Sequence, residues 1–522
     1  MSKGKILWID DEIDYLKPHL ILLKEKGYEV STATNGEDGI EQVKSQHFDL
    51  VFLDETMVGL TGLETLPVIK EIDPGIAIVM VTKNEAETLM EEAIGKSIDD
   101  YLTKPVNPAQ IIMTCKKFLE EGRIKQEKFI QNYLSGFNQL SQKISFWHDW
   151  QDWVEIYKQL TQWTLELDRI KDTGLDQTLQ DQWKVANNEF SKFVEENYYS
   201  WLTDKPKEGN PPLSPHLLDL YLEQELNSNS PVFLFVIDCM RYDQWLGMAE
   251  MLNPYFSIKT DFYSSILPTA TPYARNAIFS GLYPLQIKQY YPQWWNVDTN
   301  SEDHKLNAYE KELLEAWVSR RRISLKSKVN YIKIFDTEYG KKIEKEFKDY
   351  LDSSLTAIVI DAVDMIAHSR SDYAILKEIA PDESAYRSLT KSWFSHSSLL
   401  NMLIAISEKK NAKVIITTDH GSVRCMKGVQ VLGDKDTSSN LRYKFGKNVK
   451  TDSKNAMLIK DLEKLRIPRL GISVSNFIAK EDSYFVYPTD YHYYLNKYRD
   501  SFQHGGISLE EMIVPISVLQ PR

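Results

Sequence analysis

Cysteine is nearly absent from this 522-residue chain, which has only Cys115, Cys239 and Cys425. Three scattered thiols cannot staple a scaffold, which excludes a disulfide framework and points to a reducing compartment. Apolar runs of bilayer length are missing as well, so no membrane span is expected. Met1-Ser2-Lys3-Gly4-Lys5 leads into only four apolar residues before Asp10, too short for the core of a signal peptide. Positive charge is also in deficit, with 62 Lys and Arg against 75 Asp and Glu and a net charge of -13. That balance excludes a broad electrostatic footprint on duplex DNA, yet leaves room for a local pocket that receives a phosphate. The expectation is a cytoplasmic protein with neither membrane nor duplex DNA as a partner.

What is present is 42% apolar residues, enough for globular folding at a length that suggests about three domains. Residues 5 to about 120 alternate apolar runs with helical patterns. The runs are Ile6–Ile9, Glu29–Ala33, Leu50–Leu53, Ile76–Val81 and Asp100–Leu102, with helices expected near 12–26, 36–46, 62–72, 85–93 and 107–120. Five such units predict a doubly wound parallel (βα)5 domain, in which residues at the carboxyl ends of the strands share one crevice. Asp10, Asp54, Thr82 and Lys104 all occupy such ends. Asp10, Asp11 and Asp54 together would repel one another strongly, so a hard, oxygen-seeking cation such as Mg²⁺ is required. With Mg²⁺ on Asp11 and Asp54, the latter carboxylate is placed to accept a phosphoryl group. Lys104 supplies positive charge to the acyl phosphate and Thr82 a hydroxyl donor. Tyr101 is a candidate switch aromatic that swings inward as Thr82 moves.

These positions resemble the CheY-like receiver domain of bacterial response regulators over residues 1–120. The resemblance implies metal-site acids Asp10 and Asp11, phosphoacceptor Asp54, and switch residues Thr82, Tyr101 and Lys104. It also implies a sensor histidine kinase as phosphoryl donor and a homodimer on phosphorylation.

Between 121 and 228 the pattern becomes helical, with Phe129, Tyr133, Phe137 and Leu140, then Trp150, Val154, Tyr157 and Leu160, at helical offsets. A small helical bundle is expected there, its clustered tryptophans serving as core. From 229 to 522 three apolar strands, 232–237, 355–360 and 413–418, each run into an acid, at Asp238, Asp361 and Asp419. This predicts a large α/β domain with a polar site at one sheet edge. His420 adjoins Asp419, Asp364 and His368 share a helical face, and His504 precedes two glycines that allow close backbone approach. Mixed Asp and His ligands suit zinc, or manganese. Thr271, just ahead of a helix opened by Pro272, is the candidate nucleophile, with Thr269 as the alternative.

This half resembles the alkaline phosphatase superfamily, and within it the PglZ-type domain attached to response regulators. The resemblance implies one metal on Asp238, Thr271, Asp419 and His420 and another on Asp364, His368 and His504, with Asp361 competing for the Asp364 role. Regulators of this build are associated with type IX secretion, which implies a secretion or transcription partner. A two-step reaction is expected, in which Thr271 attacks phosphorus and water then releases it. Arg241, Arg275, Lys435 and Arg442 are possible phosphate contacts. Tyr263, Tyr273, Tyr283, Tyr290, Tyr291, Trp294 and Trp295 offer surfaces for stacking a base, so a phosphodiesterase of nucleotides or short oligonucleotides leads. The alternative is a phosphorylation-dependent docking scaffold that regulates secretion or transcription, with an inactive hydrolase domain.

Overall fold

The computed structural model describes residues 3–83, 98–146, 149–170, 173–226, 230–295, 307–372, 374–433, 440–446, 449–469 and 475–522. The helix expected near 85–93 and Lys435 lie outside the described residues. Two compact units are present, residues 1–136 and 137–522. No helix among the described residues is long and apolar enough to cross a membrane.

The first unit is built on five parallel strands: β1 (Lys5–Ile9), β2 (Glu29–Ala33), β3 (Leu50–Asp54), β4 (Ala77–Thr82) and β5 (Asp100–Thr103). Their order is β2-β1-β3-β4-β5. Strand β3 is buried along its whole length, because helices cover both faces of a parallel sheet. The helix Gly62–Ile72 starts where it does through a capping box between Thr61 and Glu64.

In the second unit two long helices, Trp150–Ile170 and Thr173–Trp201, bury the tryptophans that the sequence marks as core. Trp153 is 1% exposed and packs edge-on against Phe190 at 5.3 Å. These helices are knitted to the large α/β domain. Tyr157 meets Tyr242, with ring centroids 5.9 Å apart, and Arg387 donates two hydrogen bonds from Nη2 to Asp168, at 2.7 and 2.9 Å.

The large sheet uses β6 (Val232–Ile237), β7 (Phe256–Ser264), β8 (Asn330–Ile334), β9 (Leu355–Ile360), β10 (Lys413–Thr417) and a C-terminal strand, Ile513–Pro521. Four neighbours, β10-β6-β9-β8, run parallel. The C-terminal strand joins β10 antiparallel and then pairs with β7 over nine residues. This antiparallel edge was not anticipated, since only the three all-apolar strands announce themselves. Phe233, Phe235, Ile358, Ile360, Val414 and Ile416 form the core beneath the helices Tyr242–Leu252 and Ser398–Ser407. Three small sheets lie between β10 and the C-terminal strand.

Trp153→Ala removes a fully enclosed indole, and a loss of about 3–5 kcal/mol is expected. Denaturant unfolding followed by tryptophan fluorescence checks this, an unchanged midpoint being the contrary result.

Candidate metal and phosphoryl-transfer sites

The crevice of the first unit gathers Asp10, Asp11 and Asp54, with one oxygen from each within 4.8 Å of the others. Lys104 reaches in, its Nζ 2.9 Å from Asp10 Oδ2 and 3.0 Å from Asp54 Oδ1. The Lys104–Pro105 peptide bond is cis. Burial, and then the neighbouring Asp10, push the Asp54 carboxyl up to about 6 against the opposing pull of Lys104. One ammonium therefore does not neutralise the cluster, and a divalent cation fits the donor set. The Thr82 hydroxyl donates to Glu55, and Tyr101 is 42% exposed.

In the second unit the site forms at the carboxyl ends of β6, β9 and β10. Asp238 follows β6, and its N–H donates to Ile360 O at 2.9 Å. Asp419 and His420 follow β10. Asp238, Asp419 and His420 form one cluster of potential ligand atoms within 4.8 Å of one another, and Asp364, His368 and His504 form a second. The clusters adjoin, because the His420 and His504 rings stack with centroids 4.2 Å apart at 19°. The helix Thr271–Ser280 brings Thr271 in as its first residue, one position earlier than the sequence reading, which opened the helix at Pro272. Thr271 Oγ1 lies 3.0 Å from His420 Nε2 and 3.4 Å from Asp238 Oδ1. Asn307 Nδ2 donates to the Thr271 carbonyl at 3.2 Å. Thr269 is turned elsewhere, donating to Gly506 O at 2.8 Å.

The chemistry of this donor set fits divalent cations. Two buried carboxylates side by side cannot both ionise without nearby positive charge. Burial first, and Asp238 second, hold the Asp419 carboxyl well above the usual carboxylate range. Asp419 Oδ2 and His504 Nδ1 are buried with no hydrogen-bond partner among the described residues, where nearly all such atoms are normally satisfied. The His420 Nδ1–H donates to Gly421 O at 3.0 Å. That fixes the tautomer and leaves the Nε2 lone pair facing the site. Burial lowers both imidazoles, pushing His504 down to about 4, so each is neutral and able to ligate at neutral pH.

The other candidates divide. Asp364, not Asp361, sits with His368 and His504, whereas Asp361 lies 3.4 Å from Arg275 Nη1 and 3.6 Å from Lys333 Nζ. Three arginines expected as phosphate contacts are already committed to carboxylates. Arg275 donates from Nη1 to Asp238 Oδ2 at 2.6 Å and from Nε to Glu310 Oε1 at 2.7 Å. Arg241 pairs with Asp243 through Nε at 3.0 Å. Arg442 is fully buried and donates to Glu511 at 3.1 and 2.5 Å, and to Ser483 O. Each guanidinium is drawn away because a buried arginine requires a nearby acid. Gly506 does provide the close approach expected of it, since a Cβ there would come within 2.3 Å of Arg442 Nη2.

Sequence reading missed Glu310 and its partner Tyr331, whose hydroxyl donates to it. Glu310 is 1% exposed in a helix of ordinary charged composition, so only tertiary structure reveals that it faces Arg275.

An aspartate-bearing crevice on a parallel (βα) fold, a helical segment and an α/β domain carrying paired Asp/His clusters place the chain in class among receiver-bearing proteins with a hydrolase-like domain. Family comparison agrees with that order. Residues 6–116 match the response regulator receiver domain, 123–202 the PorX response regulator linker domain, and 219–519 the BREX system PglZ alkaline phosphatase-like domain. The last match spans more than half of the sequence, and the chain belongs to the PglZ alkaline phosphatase-like family, here fused to a CheY-like receiver and a PorX-type linker. Among curated proteins it is similar to the transcriptional regulatory protein ZraR of Klebsiella oxytoca, 33% identical over 121 residues, which is 23% of this chain and 27% of that protein. It is also similar to the alginate biosynthesis transcriptional regulatory protein AlgB of Pseudomonas syringae pv. tomato, 34% identical over 119 residues, covering 23% and 27%. The chain thus spans about a quarter of the length of these relatives. Similar solved structures include a CheY-like receiver domain protein from Methanospirillum hungatei JF-1, at 28% identity and TM-score 0.22, covering 22% of this chain and 94% of that one. A two-component response regulator from Clostridium difficile matches at 28% identity and TM-score 0.22, covering 23% and 97%.

Glu310→Gln weakens the hold of Arg275 on Asp238, and a 10–100-fold loss of metal affinity is expected for such an outer partner of a ligand. Direct metal titration of the apo-protein checks this, equal affinity in variant and wild type being the contrary result.

Proposed function

We propose that the large domain is a phosphodiesterase of nucleotides or short oligonucleotides, with Thr271 as nucleophile, controlled by phosphorylation of Asp54. The observation that carries this reading is the Thr271 hydroxyl lying within hydrogen-bond reach of His420, between Asp238 and the adjoining His504 cluster.

Asp238, Thr271, Asp419 and His420 would hold one cation and Asp364, His368 and His504 the other, zinc suiting the mixed ligands and manganese being the alternative. When bound, these ions supply positive charge against the phosphoryl oxygens and favour ionisation of the nucleophile. The chain's own residues do the rest. Asn307 and the neighbouring helix turn hold Thr271 still. The positive end of the helix 271–280 favours an incoming phosphate. Arg275 keeps Asp238 oriented from behind, bridging it to Glu310.

The diester preference follows from charge. A dianionic monoester calls for a cationic contact beyond the metals, whereas Arg241, Arg275 and Arg442 are each engaged by carboxylates. Among the aromatics, Tyr263, Tyr273, Tyr283 and Trp295 are buried packing residues. Tyr290 is 61% exposed, and Tyr291 stacks on Trp294 at 4.8 Å, leaving these three as the surfaces that suit a nucleobase.

On this reading a sensor histidine kinase phosphorylates Asp54, Asp10, Asp11 and Asp54 would hold the Mg²⁺ that supplies charge for the transfer, and phosphorylated chains pair as a homodimer. A secretion or transcription partner would receive the output.

Wild-type protein is expected to cleave bis(p-nitrophenyl) phosphate faster than p-nitrophenyl phosphate, and chelation to abolish both activities. Thr271→Ala is expected to lower turnover by at least about 10³-fold while retaining metal by elemental analysis. Full activity in Thr271→Ala would remove the nucleophile assignment. A separate check uses acetyl phosphate with Mg²⁺, where wild type gains one acid-labile phosphoryl group by intact-mass measurement and Asp54→Asn gains none.

A further inference from the structure

Two loops meet at the hydrolase centre, one carrying the candidate nucleophile Thr271 and the other the candidate ligand His504, and one buried hydroxyl joins them. Thr269 Oγ1 donates to Gly506 O at 2.8 Å and accepts from the Gly505 N–H at 3.1 Å. Thr269 is fully enclosed and both glycines are buried, so neither backbone group can turn to water when the hydroxyl is lost. A hydroxyl that gives one bond and takes another fixes direction as well as distance. The nucleophile's loop is held at both ends. The Leu267 N–H donates to Tyr198 Oη at 2.7 Å, on the helix 173–201, and Thr271 opens the helix 271–280. Thr269 stands between these anchors.

His504 has reason to need such a tie. A metal-ligating imidazole normally donates its second ring nitrogen to a carboxylate or carbonyl that sets its orientation. His504 Nδ1 is buried with no hydrogen-bond partner among the described residues, in contrast to His420, whose Nδ1 meets Gly421 O at 3.0 Å. The backbone must then place the ring. At Gly505, with φ +116°, that backbone is one that glycine alone adopts readily, and a Cβ there would come within 2.8 Å of Tyr443 Cδ1. No side chain at that position can anchor the loop. The other cluster has its own tie. Thr418 Oγ1 accepts from the Met240 N–H at 3.0 Å and donates to His420 O at 2.7 Å, which joins the turns that present Asp238 and His420 without help from Thr269.

Resting on the two-cation reading above with Thr271 as nucleophile, we propose that Thr269 is a positioning residue that sets His504, and with it the cluster of Asp364, His368 and His504, against Thr271. Its hydroxyl is committed to the two glycines rather than to phosphorus. Through Gly505 it holds the His504 imidazole over His420, where the rings stack at 4.2 Å, and through its own backbone it places Thr271 two residues on. The threonine that competes with Thr271 by sequence thus serves it as a brace.

The test is calorimetric titration of the metal-free full chain with zinc, paired with turnover of bis(p-nitrophenyl) phosphate at saturating zinc. Wild type is expected to take up two zinc ions, one at each cluster. Thr269→Val keeps the side-chain shape and loses both hydrogen bonds. It is expected to bind one ion as wild type does and the second about 10–100-fold more weakly, the loss typical of a removed orienting partner. Its kcat is expected to fall by about tenfold or more with KM unchanged. Thr269→Ser, which keeps the hydroxyl, is expected to restore the second ion and kcat. Equal zinc binding in Thr269→Val and wild type would overturn the proposal. So would equal weakening of both ions, the mark of a generally loosened fold, a Thr269→Ser as weak as Thr269→Val, or fewer than two zinc ions on wild type. Selective loss of the second ion in Thr269→Val, with no hydrolysis by wild type, would instead end the phosphodiesterase reading and leave the positioning role standing.

Discussion

Two carboxylates forced together out of water govern the larger unit. Asp238 and Asp419 end neighbouring parallel strands whose register places Val236 beside Thr417, so the sheet itself delivers both acids to one point. Neither can leave, because β6 and β10 are buried throughout most of their length. Their repulsion is offset on one side by Arg275, itself anchored by Glu310. On the other side stand the His420 and His504 imidazoles, held neutral by burial, an arrangement that suits cations. The Thr271 hydroxyl, at the positive end of its helix, stands against this group, 3.0 Å from His420 Nε2 and 3.4 Å from Asp238 Oδ1.

The smaller unit meets the same constraint with a different solution. Asp10 and Asp54 also end adjacent parallel strands, β1 and β3, but here a lysine, Lys104, bridges them at 2.9 and 3.0 Å. A flexible ammonium can move toward a new anion on Asp54, whereas the planar, doubly anchored Arg275 cannot. The choice of base therefore matches the expected task, exchange in the receiver and rigidity in the hydrolase-like domain.

Much of this was legible in the residues alone. Unbroken apolar runs ending in acid announce buried parallel strands, and the place of an acid at a strand end fixes its place in the crevice. Adjacent Asp419 and His420, and the four-residue offset of Asp364 and His368, carry their geometry locally. What stayed hidden depends on distant partners. Arg275 and Arg442 read as free cations until Glu310 and Glu511 are seen against them, and the antiparallel pairing of β7 with the C-terminal strand joins segments about 250 residues apart. The alternating exposure of β7 gives it no long apolar run to mark it as part of the large sheet.

Anomalous diffraction from crystals of the intact chain grown with zinc tests the central claim most directly. The account predicts two peaks, one among Asp238, Thr271, Asp419 and His420, the other among Asp364, His368 and His504. A map with no peak at either cluster, or with zinc bound only elsewhere, would contradict it.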